Sequence, residues 1–263
     1  MTNKSILEIV QLQLSYDLGF LTNVFDQKEP MVTSNELIDL QRYFLKSPRL
    51  LHMVTFGTNT CAHANGKLES YFIEFLKSMP SFRMYDSIQM DIINIKLKPL
   101  NERLAMLGEY YLPNLNNLPT FQTEFEYMIL KEKEIQSLYH DKRFSMALGY
   151  FKKDQIRQDK IAVVAYDKES MIGIAACSND SDEMYQIGID VIDGYRTKGI
   201  AKFLVSTLTK EILNINKIPY LGVSIGNIAS KRLARSCGYI PVWMELQSKN
   251  IEESNKDINP KLL

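Results

Sequence analysis

Apolar residues recur at helical spacing in two places near the start of the chain, over residues 6–20 and 36–44. Ser34 precedes the second stretch and is a favourable N-cap residue, so we predict a helix in each place. Residues 51–56 alternate in the manner of a strand, and residues 68–76 return to helical spacing before a proline. The first part of the chain is therefore predicted to be a mixed α/β lobe.

Residues 112–119 concentrate the residue types that favour turns, and they divide the chain unevenly. We place the domain boundary there, with a smaller N-terminal lobe over 1–118 and a second domain over 119–263. The pattern after the boundary predicts a strand over 121–130 and a helix over 131–148. The predicted fold class is thus α/β in two parts.

The remaining pattern is clearer, because short apolar runs alternate with polar turns. Residues 161–166 and 171–177 form two such runs, which predict a β-hairpin. A third strand over 184–191 leads into a helix whose apolar residues recur every fourth position. Three later elements complete the prediction: a strand over 220–225, a helix starting near Asn227 and a last strand over 241–246.

The composition is typical of a globular protein. Of 263 residues, 45% are hydrophobic and 24% are charged, and 31 lysines and arginines balance 31 aspartates and glutamates. A chain without net charge offers no electrostatic reason to expect a nucleic acid or a membrane as partner, because both usually select a basic face. We therefore expect a small molecule or another protein as the partner.

Cysteine usage and the apolar runs indicate the compartment. Cys61, Cys177 and Cys237 are odd in number and far apart, which favours a reducing compartment over a disulfide framework. Glu8 lies where a secretory peptide would begin its apolar run, and no apolar stretch approaches ~18 residues. We expect a cytoplasmic location. Cys61 and His63 lack the second ligand pair that a structural zinc site needs, so we expect no metal.

The turn between the third strand and its helix carries the first candidate site. Its sequence, Arg196-Thr197-Lys198-Gly199-Ile200-Ala201, is basic and contains a glycine. The first N–H groups of a helix have no partner within the helix, and the helix dipole favours negative charge there. A glycine lets a ligand approach the backbone, and flanking cations add charge-assisted contacts. The turn is a candidate phosphate site, although glycine is also common in strand-to-helix turns that bind no ligand.

A second signature lies downstream, where Asn227-Ile228-Ala229-Ser230 follows the predicted strand and Gly238-Tyr239 follows the next helix. The R-x-x-G-x-A turn resembles the Q/R-x-x-G-x-G/A motif of the GNAT superfamily of acyl-CoA-dependent N-acyltransferases. The N-x-x-S…G-Y stretch resembles the next motif of that family. The likeness covers residues 121–246 and is strongest to two-part GNAT proteins of unassigned substrate that carry an N-terminal lobe.

This resemblance implies a GNAT-type fold, in which helices flank a mixed central sheet, and acetyl-CoA as co-substrate. In the family the strand before the turn splays from its neighbour, which implies that backbone groups of Ile189 and Val191 bind the pantetheine arm and the thioester carbonyl. Asn227 and Ser230 would contact the far side of the coenzyme. The coenzyme A pyrophosphate would be bound by the backbone amides of Thr197, Lys198, Gly199, Ile200 and Ala201, with Arg196 nearby.

The catalytic acid and base are open. Many members place a tyrosine seven residues after the motif asparagine as general acid, but Ala234 occupies that position here. Some members place a general-base glutamate near the position of Gln186, but an amide cannot take a proton and could only orient a water. The candidate catalytic residues are Gln186, Asp190, Ser224, Glu183 and, through its backbone, Val191.

Transfer from a thioester to an amine needs an oxyanion donor, a neutral amine and a stabilised thiolate. We expect an N-acetyltransferase that moves an acetyl group from acetyl-CoA to a primary amine of a small molecule or peptide. Two other classes stay open. A non-catalytic acyl-CoA-binding or regulatory module is favoured by the missing tyrosine, and a structural or interaction protein would be favoured if the turn bound no coenzyme. For the N-terminal lobe two roles are open, shaping the acceptor pocket or forming a homodimer contact.

Overall fold

The computed structural model describes residues 1–36, 39–45, 49–148 and 158–255. The chain forms two compact units: the first comprises residues 1–7 and 110–241, and the second comprises residues 8–109 together with residues 242 onward. The predicted division at 118/119 falls inside the first unit. The C-terminal part of the chain contributes to the second unit, so a single cut in the sequence cannot separate the two units.

The helices and strands of the described residues follow much of the predicted pattern. The α-helices are α1 Asn3–Asp17, α2 Gly66–Lys77, α3 Ser87–Leu97, α4 Ile200–Asn214, α5 Ile228–Ser236 and α6 Ile251–Asn255. The strands are β1 Val32–Thr33, β2 Leu51–Thr55, β3 Thr60–Ala64, β4 Glu102–Pro113, β5 Glu126–Lys131, β6 Asp159–Asp167, β7 Ser170–Asn179, β8 Met184–Val191, β9 Ile218–Ser224 and β10 Tyr239–Asn250. The predicted hairpin, third strand and following helix are confirmed as β6, β7, β8 and α4.

Two predicted helices are wrong where the structure describes them. Within residues 36–44, of which 37 and 38 lie outside the described residues, the only helical element begins at Tyr43 and is a single 3-10 turn. The Ser34 hydroxyl donates a hydrogen bond to Glu69 Oε2 at 2.8 Å. Residues 131–148 form two 3-10 segments, Ile135–Leu138 and Lys142–Phe144. Their apolar side chains are buried against the sheet without a continuous helix.

The sheet of the first unit explains why strands β6 and β7 consist of nearly continuous apolar runs. Strands β5, β6, β7 and β8 pair antiparallel in that order, and β9 pairs with β8 in parallel. On one face of β6, Val163 packs in a core with Leu204 and Leu208 of α4. On the other face, Val164 packs with Phe144. A strand covered on both faces needs apolar residues at every position.

The second unit has its own sheet and core. Strand β3 pairs in parallel with β1 and antiparallel with β2, and β2 pairs antiparallel with β10 from Thr55↔Met244 to His52↔Gln247. Helices α2 and α3 cover one face, where Phe72 and Ile93 pack with Met53. This places a compact apolar core between the two helices and the strands.

The second unit also buries a charged network. The Arg42 guanidinium donates hydrogen bonds to Asp17 and, at 2.8 Å, to Glu245. Glu245 also lies 3.0 Å from His52 Nε2 and accepts a bond of 2.8 Å from the Trp243 indole. Burial raises the pKa of Asp17, although Arg42 opposes it. Burial would raise the pKa of Glu245 as well, but Arg42 and His52 hold that pKa well below its usual range.

Candidate functional site

The turn that begins α4 is arranged as an anion site. Gly199 is the N-cap of the helix and has φ +83°, a left-handed conformation that favours glycine. A Cβ placed on Gly199 would meet no atom of the described residues within 4 Å, so the space in front of it is open. The Phe203 N–H donates to the Gly199 carbonyl at 3.1 Å, and the N–H groups of residues 200–202 precede this bond. Those N–H groups are therefore available to a ligand.

Two cations lie at the rim of this turn. Arg196 Nε donates to the Val191 carbonyl at 3.2 Å and lies 3.2 Å from an Asp193 carboxylate oxygen. Lys198 Nζ lies 4.6 Å from the ring centroid of Tyr195. Both cations are solvent-exposed. The turn therefore combines free backbone donors with positive charge, as an anion requires.

Strands β8 and β9 separate beside this turn. Their parallel pairs run from Met184↔Ile218 through Tyr185↔Pro219 to Gln186↔Tyr220. Beyond that last pair β8 continues to Val191 and β9 to Ser224. The predicted splay of the third strand is therefore present, and backbone groups of residues 187–191 that face β9 lie beyond its pairing. Ile189 and Val191 belong to this separated part of β8.

Polar side chains meet where the two strands separate. The Tyr220 hydroxyl donates to the Asp180 carboxylate and lies 3.3 Å from Gln186 Oε1. A methyl group added at Gly222 would come within 2.8 Å of both Gln186 Nε2 and the Tyr110 ring, so both lie against that point of β9. Sequence reasoning selected Gln186 but missed the other groups. A tyrosine inside an apolar strand is indistinguishable from a core residue by pattern alone.

Asp190 is tied to the loop that crosses β8. Its Oδ2 accepts hydrogen bonds from the backbone N–H groups of Met146 and Ala147, at 2.8 and 2.9 Å. Burial raises the pKa of Asp190, while these two bonds and Arg196 oppose the shift. A Cβ at Gly188 would lie 2.6 Å from the carbonyl oxygens of residues 146 and 147. The loop therefore crosses β8 in direct backbone contact, and Asp190 holds it there.

The other predicted residues fall into two groups. Ser224 and Asn227 lie at or just after the end of β9, whereas Glu183 and Ala234 lie away from the separated part of the strands. Asn227 is exposed and caps α5, its Oδ1 accepting from the Ser230 N–H at 3.1 Å. Ser224 is exposed at the end of β9. Glu183 precedes β8 at the far end from the turn, where it pairs with Lys217 at 3.1 Å. Ala234 is fully buried in the core of the first unit.

The described residues contain no group of three or more His, Cys, Asp and Glu side chains that could hold a metal ion. In the same part of the chain, no helix has the length and apolar character needed to cross a membrane. Cys61, Cys177 and Cys237 are buried free thiols. Burial raises the pKa of Cys61 to about 11 and that of Cys237 to about 12, so neither is a ready nucleophile.

Separated parallel strands beside an open helix N-terminus suit an extended ligand that carries phosphate groups. Residues 123–239 match the family model described as the acetyltransferase (GNAT) family. Residues 123–239 thus carry a GNAT acetyltransferase domain, and the predicted resemblance is confirmed for that part of the chain. The enzyme class of such domains is acyltransferase.

A comparison with curated proteins finds no match. Among solved structures, a GCN5-related N-acetyltransferase-like protein from Streptococcus suis is 15% identical with a TM-score of 0.44, covering 62% of this chain and 68% of its own. A GCN5-related N-acetyltransferase from Kribbella flavida is 14% identical with a TM-score of 0.44, covering 59% and 62%. A Salmonella typhimurium protein whose structure contains acetyl-CoA is 12% identical with a TM-score of 0.36, covering 50% and 96%. The family assignment rests on the match over residues 123–239.

Proposed function

We propose that the GNAT domain transfers an acetyl group from acetyl-CoA to a primary amine of a small molecule or a peptide. The observation that carries the proposal is the separation of β8 from β9 beyond Gln186 and Tyr220, directly before the open N-terminus of α4. The separation supplies backbone groups along an extended arm, and the helix N-terminus supplies donors for phosphate oxygens. The family match supports acetyl as the group transferred.

In this proposal the pyrophosphate binds the backbone N–H groups of residues 197–201. Arg196 gives up its bond to Val191 and turns its guanidinium to the phosphate oxygens, which releases the Val191 carbonyl from this side chain. The pantetheine arm then pairs with the backbone of Ile189 and Val191, as a short strand would. Asn227 and Ser230 contact the opposite side of the coenzyme.

The chemistry needs few groups from the protein. The neutral amine forms a bond to the thioester carbon, the carbon–sulfur bond breaks, and the amine proton ends on the thiolate sulfur, so no external reductant or oxidant enters. A backbone N–H of the separated part of β8, near Val191, stabilises the carbonyl oxygen as it gains charge. The departing thiolate resembles a free thiol with a pKa near ~8.5, so positioning can supply much of the rate without a strong acid.

Gln186 is the polar side chain best placed to meet the acceptor. Its Oε1 lies at the point of separation and is held near the Tyr220 hydroxyl, whose proton is directed to Asp180. An amide oxygen can accept a hydrogen bond from an amine but cannot remove its proton. We therefore assign Gln186 to orienting the amine, with Tyr220 and Asp180 as its positioning residues.

A second function is favoured by one observation. Ala234 stands where many family members carry the acid tyrosine, and it is fully buried. A domain without that hydroxyl also suits a non-catalytic acyl-CoA-binding module. The proposed setting is the same in either case, a neutral protein in the cytoplasm with a small-molecule or peptide partner.

Two measurements on the full chain separate these functions. Calorimetry with coenzyme A and acetyl-CoA measures binding, and a thiol reagent measures coenzyme release with a panel of aminoglycosides, polyamines and amino acids. We expect binding and amine-dependent thiol release. Binding without release for every amine in the panel would support the binding module. No binding, together with a melting temperature that saturating coenzyme A does not raise, would refute both functions.

A further inference from the structure

Strand β9 carries a glycine in its interior, at position 222. Glycine weakens a strand, because its backbone has more freedom to lose and it has no side chain to pack. The φ of Gly222 is not in the left-handed region, so the backbone conformation does not require a glycine there. A glycine in such a place marks a point where another group approaches the strand closely.

Two side chains fill the place that a Cβ on Gly222 would take. Such a Cβ would lie 2.8 Å from Gln186 Nε2 and 2.8 Å from Tyr110 Cε1, and both distances are shorter than van der Waals contact. All three residues belong to the first unit. Gln186 is on β8 and pairs with Tyr220, two residues before Gly222 on β9. The Gln186 side chain therefore reaches across from β8 to β9 just beyond their last pair, where the strands separate.

The amide of Gln186 is held at both ends. Its Oε1 lies 3.3 Å from the Tyr220 hydroxyl, and its Nε2 lies against Gly222 and the Tyr110 ring. Tyr110 is only 7% exposed, and its ring centroid lies 6.2 Å from that of Tyr220. Because both rings are packed, the amide has little room to turn. A mobile glutamine would lose its rotamer freedom when it bound a substrate, whereas this one has lost it in advance.

We propose that Gly222 and Tyr110 are positioning residues that act on the acceptor amine through Gln186. Gly222 leaves open the place into which the amide reaches, and the Tyr110 ring holds the amide there. Gln186 Oε1 is thereby kept where the strands separate, in a fixed direction for accepting a hydrogen bond from the amine. This inference rests on the proposed function, in which Gln186 orients the amine.

Steady-state kinetics of the full chain test the role of Gly222. Thiol release from acetyl-CoA is followed with spermidine, kanamycin and lysine as acceptors. Gly222→Ala should lower kcat/KM for the amine by about tenfold, the effect of one misplaced hydrogen bond, and should leave the KM for acetyl-CoA unchanged. The matched control is Gly66→Ala at the start of α2, where a Cβ meets no atom of the described residues within 4 Å, and it should keep both constants.

Double variants distinguish positioning from packing. Gln186→Ala should cause about the same loss as Gly222→Ala, and the two changes together should cause no more, because both take the same amide away from the amine. Tyr110→Phe keeps the ring and should keep kcat/KM within about twofold, whereas Tyr110→Leu should lower it and add nothing to Gln186→Ala. Full additivity in either pair would mean that the residue acts by packing alone, which overturns the proposal. If Gly222→Ala does not fold, the Tyr110 variants carry the test.

Nuclear magnetic resonance of the full chain with isotope-labelled glutamine tests the contact without turnover. The side-chain amide signals of Gln186, identified by their loss in Gln186→Ala, should shift in Tyr110→Leu, because the aromatic ring alters the magnetic field at the amide. Signals that do not move overturn the proposal even where acetyl transfer proceeds. Activity that Gln186→Ala leaves intact also overturns it, while acetyl transfer itself stands. A chain that releases no thiol with any of the three amines contradicts the proposed function and this inference together.

Discussion

Replacing Gly199 with either aspartate or asparagine tests the phosphate site by charge alone. The two side chains have the same shape, and both tolerate the left-handed backbone better than other residues. The φ of +83° therefore costs each variant a similar strain, at most ~1–2 kcal/mol. A Cβ at Gly199 meets no atom of the described residues within 4 Å, so neither side chain clashes where it leaves the backbone. The two variants then differ only in a negative charge beside the pyrophosphate.

The size of that difference follows from the geometry. A carboxylate on Gly199 would lie ~4–5 Å from the nearest phosphate charge, which at an effective dielectric constant of ~20 gives about 3–4 kcal/mol of repulsion. The turn is exposed, so salt and water reduce this value. We expect about 2–3 kcal/mol, which corresponds to roughly 30- to 150-fold weaker coenzyme A binding for Gly199→Asp than for Gly199→Asn.

Calorimetry with coenzyme A at low and at high salt measures both variants, and circular dichroism checks that they fold. The gap between them should narrow at high salt, because it is electrostatic. Equal affinities for the aspartate and asparagine variants at low salt would refute the placement of the pyrophosphate at this turn. Pantetheine, the arm of coenzyme A without the pyrophosphate and the nucleotide, should bind both variants with the same affinity.

Three further outcomes are expected. Ala234→Tyr should lower the free energy of unfolding by ~1–3 kcal/mol in urea titrations, because Ala234 is fully buried and has no space for a ring; a stable variant with faster thiol release would instead show that a phenol can reach the leaving group. Arg196→Ala should weaken coenzyme A binding by ~1 kcal/mol in calorimetry, with Arg196→Lys intermediate, and a loss insensitive to salt would contradict a charge contact. Glu245→Gln should cost ~3 kcal/mol of stability by urea unfolding, since it leaves Arg42 with one carboxylate in a buried site, and an unchanged midpoint would contradict that network.

The spacing of apolar residues along the chain was sufficient to predict the elements around the site, because each element shows its buried positions within its own sequence. Strand β8 and helix α4 were predicted at nearly their observed bounds, since the apolar residues of a short strand and those of a helix with one apolar face recur with distinct periods. The stretch over 131–148 was predicted wrongly as a helix. Its apolar residues are spaced like those of a helix, but they reach the sheet from two 3-10 turns.

Long-range features had no signal in the sequence. Asp17, Arg42 and Glu245 form one buried network, yet two of them are separated from the third by about two hundred positions. Nothing in the neighbourhood of each residue distinguishes it from a solvated surface charge. The Tyr220 and Asp180 pair beside Gln186 was hidden for the same reason, because the pairing of β8 with β9 brings the two residues together.

Asp190 offers the sharpest choice between a catalytic and a positioning role. Burial raises the pKa of its carboxyl group above the usual value, which suits a general base, yet Oδ2 already accepts two backbone hydrogen bonds. In Asp190→Asn the amide oxygen can still accept from Met146 and Ala147, whereas in Asp190→Ala both N–H groups lose their partner. If Asp190 only holds the loop, the asparagine variant should keep kcat within about threefold, and the alanine variant should raise the KM for the amine.

The alternative has a different signature. Loss of a general base lowers the rate by ~10²–10⁴-fold, and both variants would show that loss in kcat. The pH profile separates the two roles further. Because the pKa is raised, a catalytic carboxylate would lose activity as the pH falls through that raised value, and the asparagine variant would have no such limb. We expect the acid limb to be the same in the wild type and in Asp190→Asn. If the acid limb disappeared in Asp190→Asn, Asp190 would be the general base, and its hydrogen bonds to the loop would orient its carboxylate.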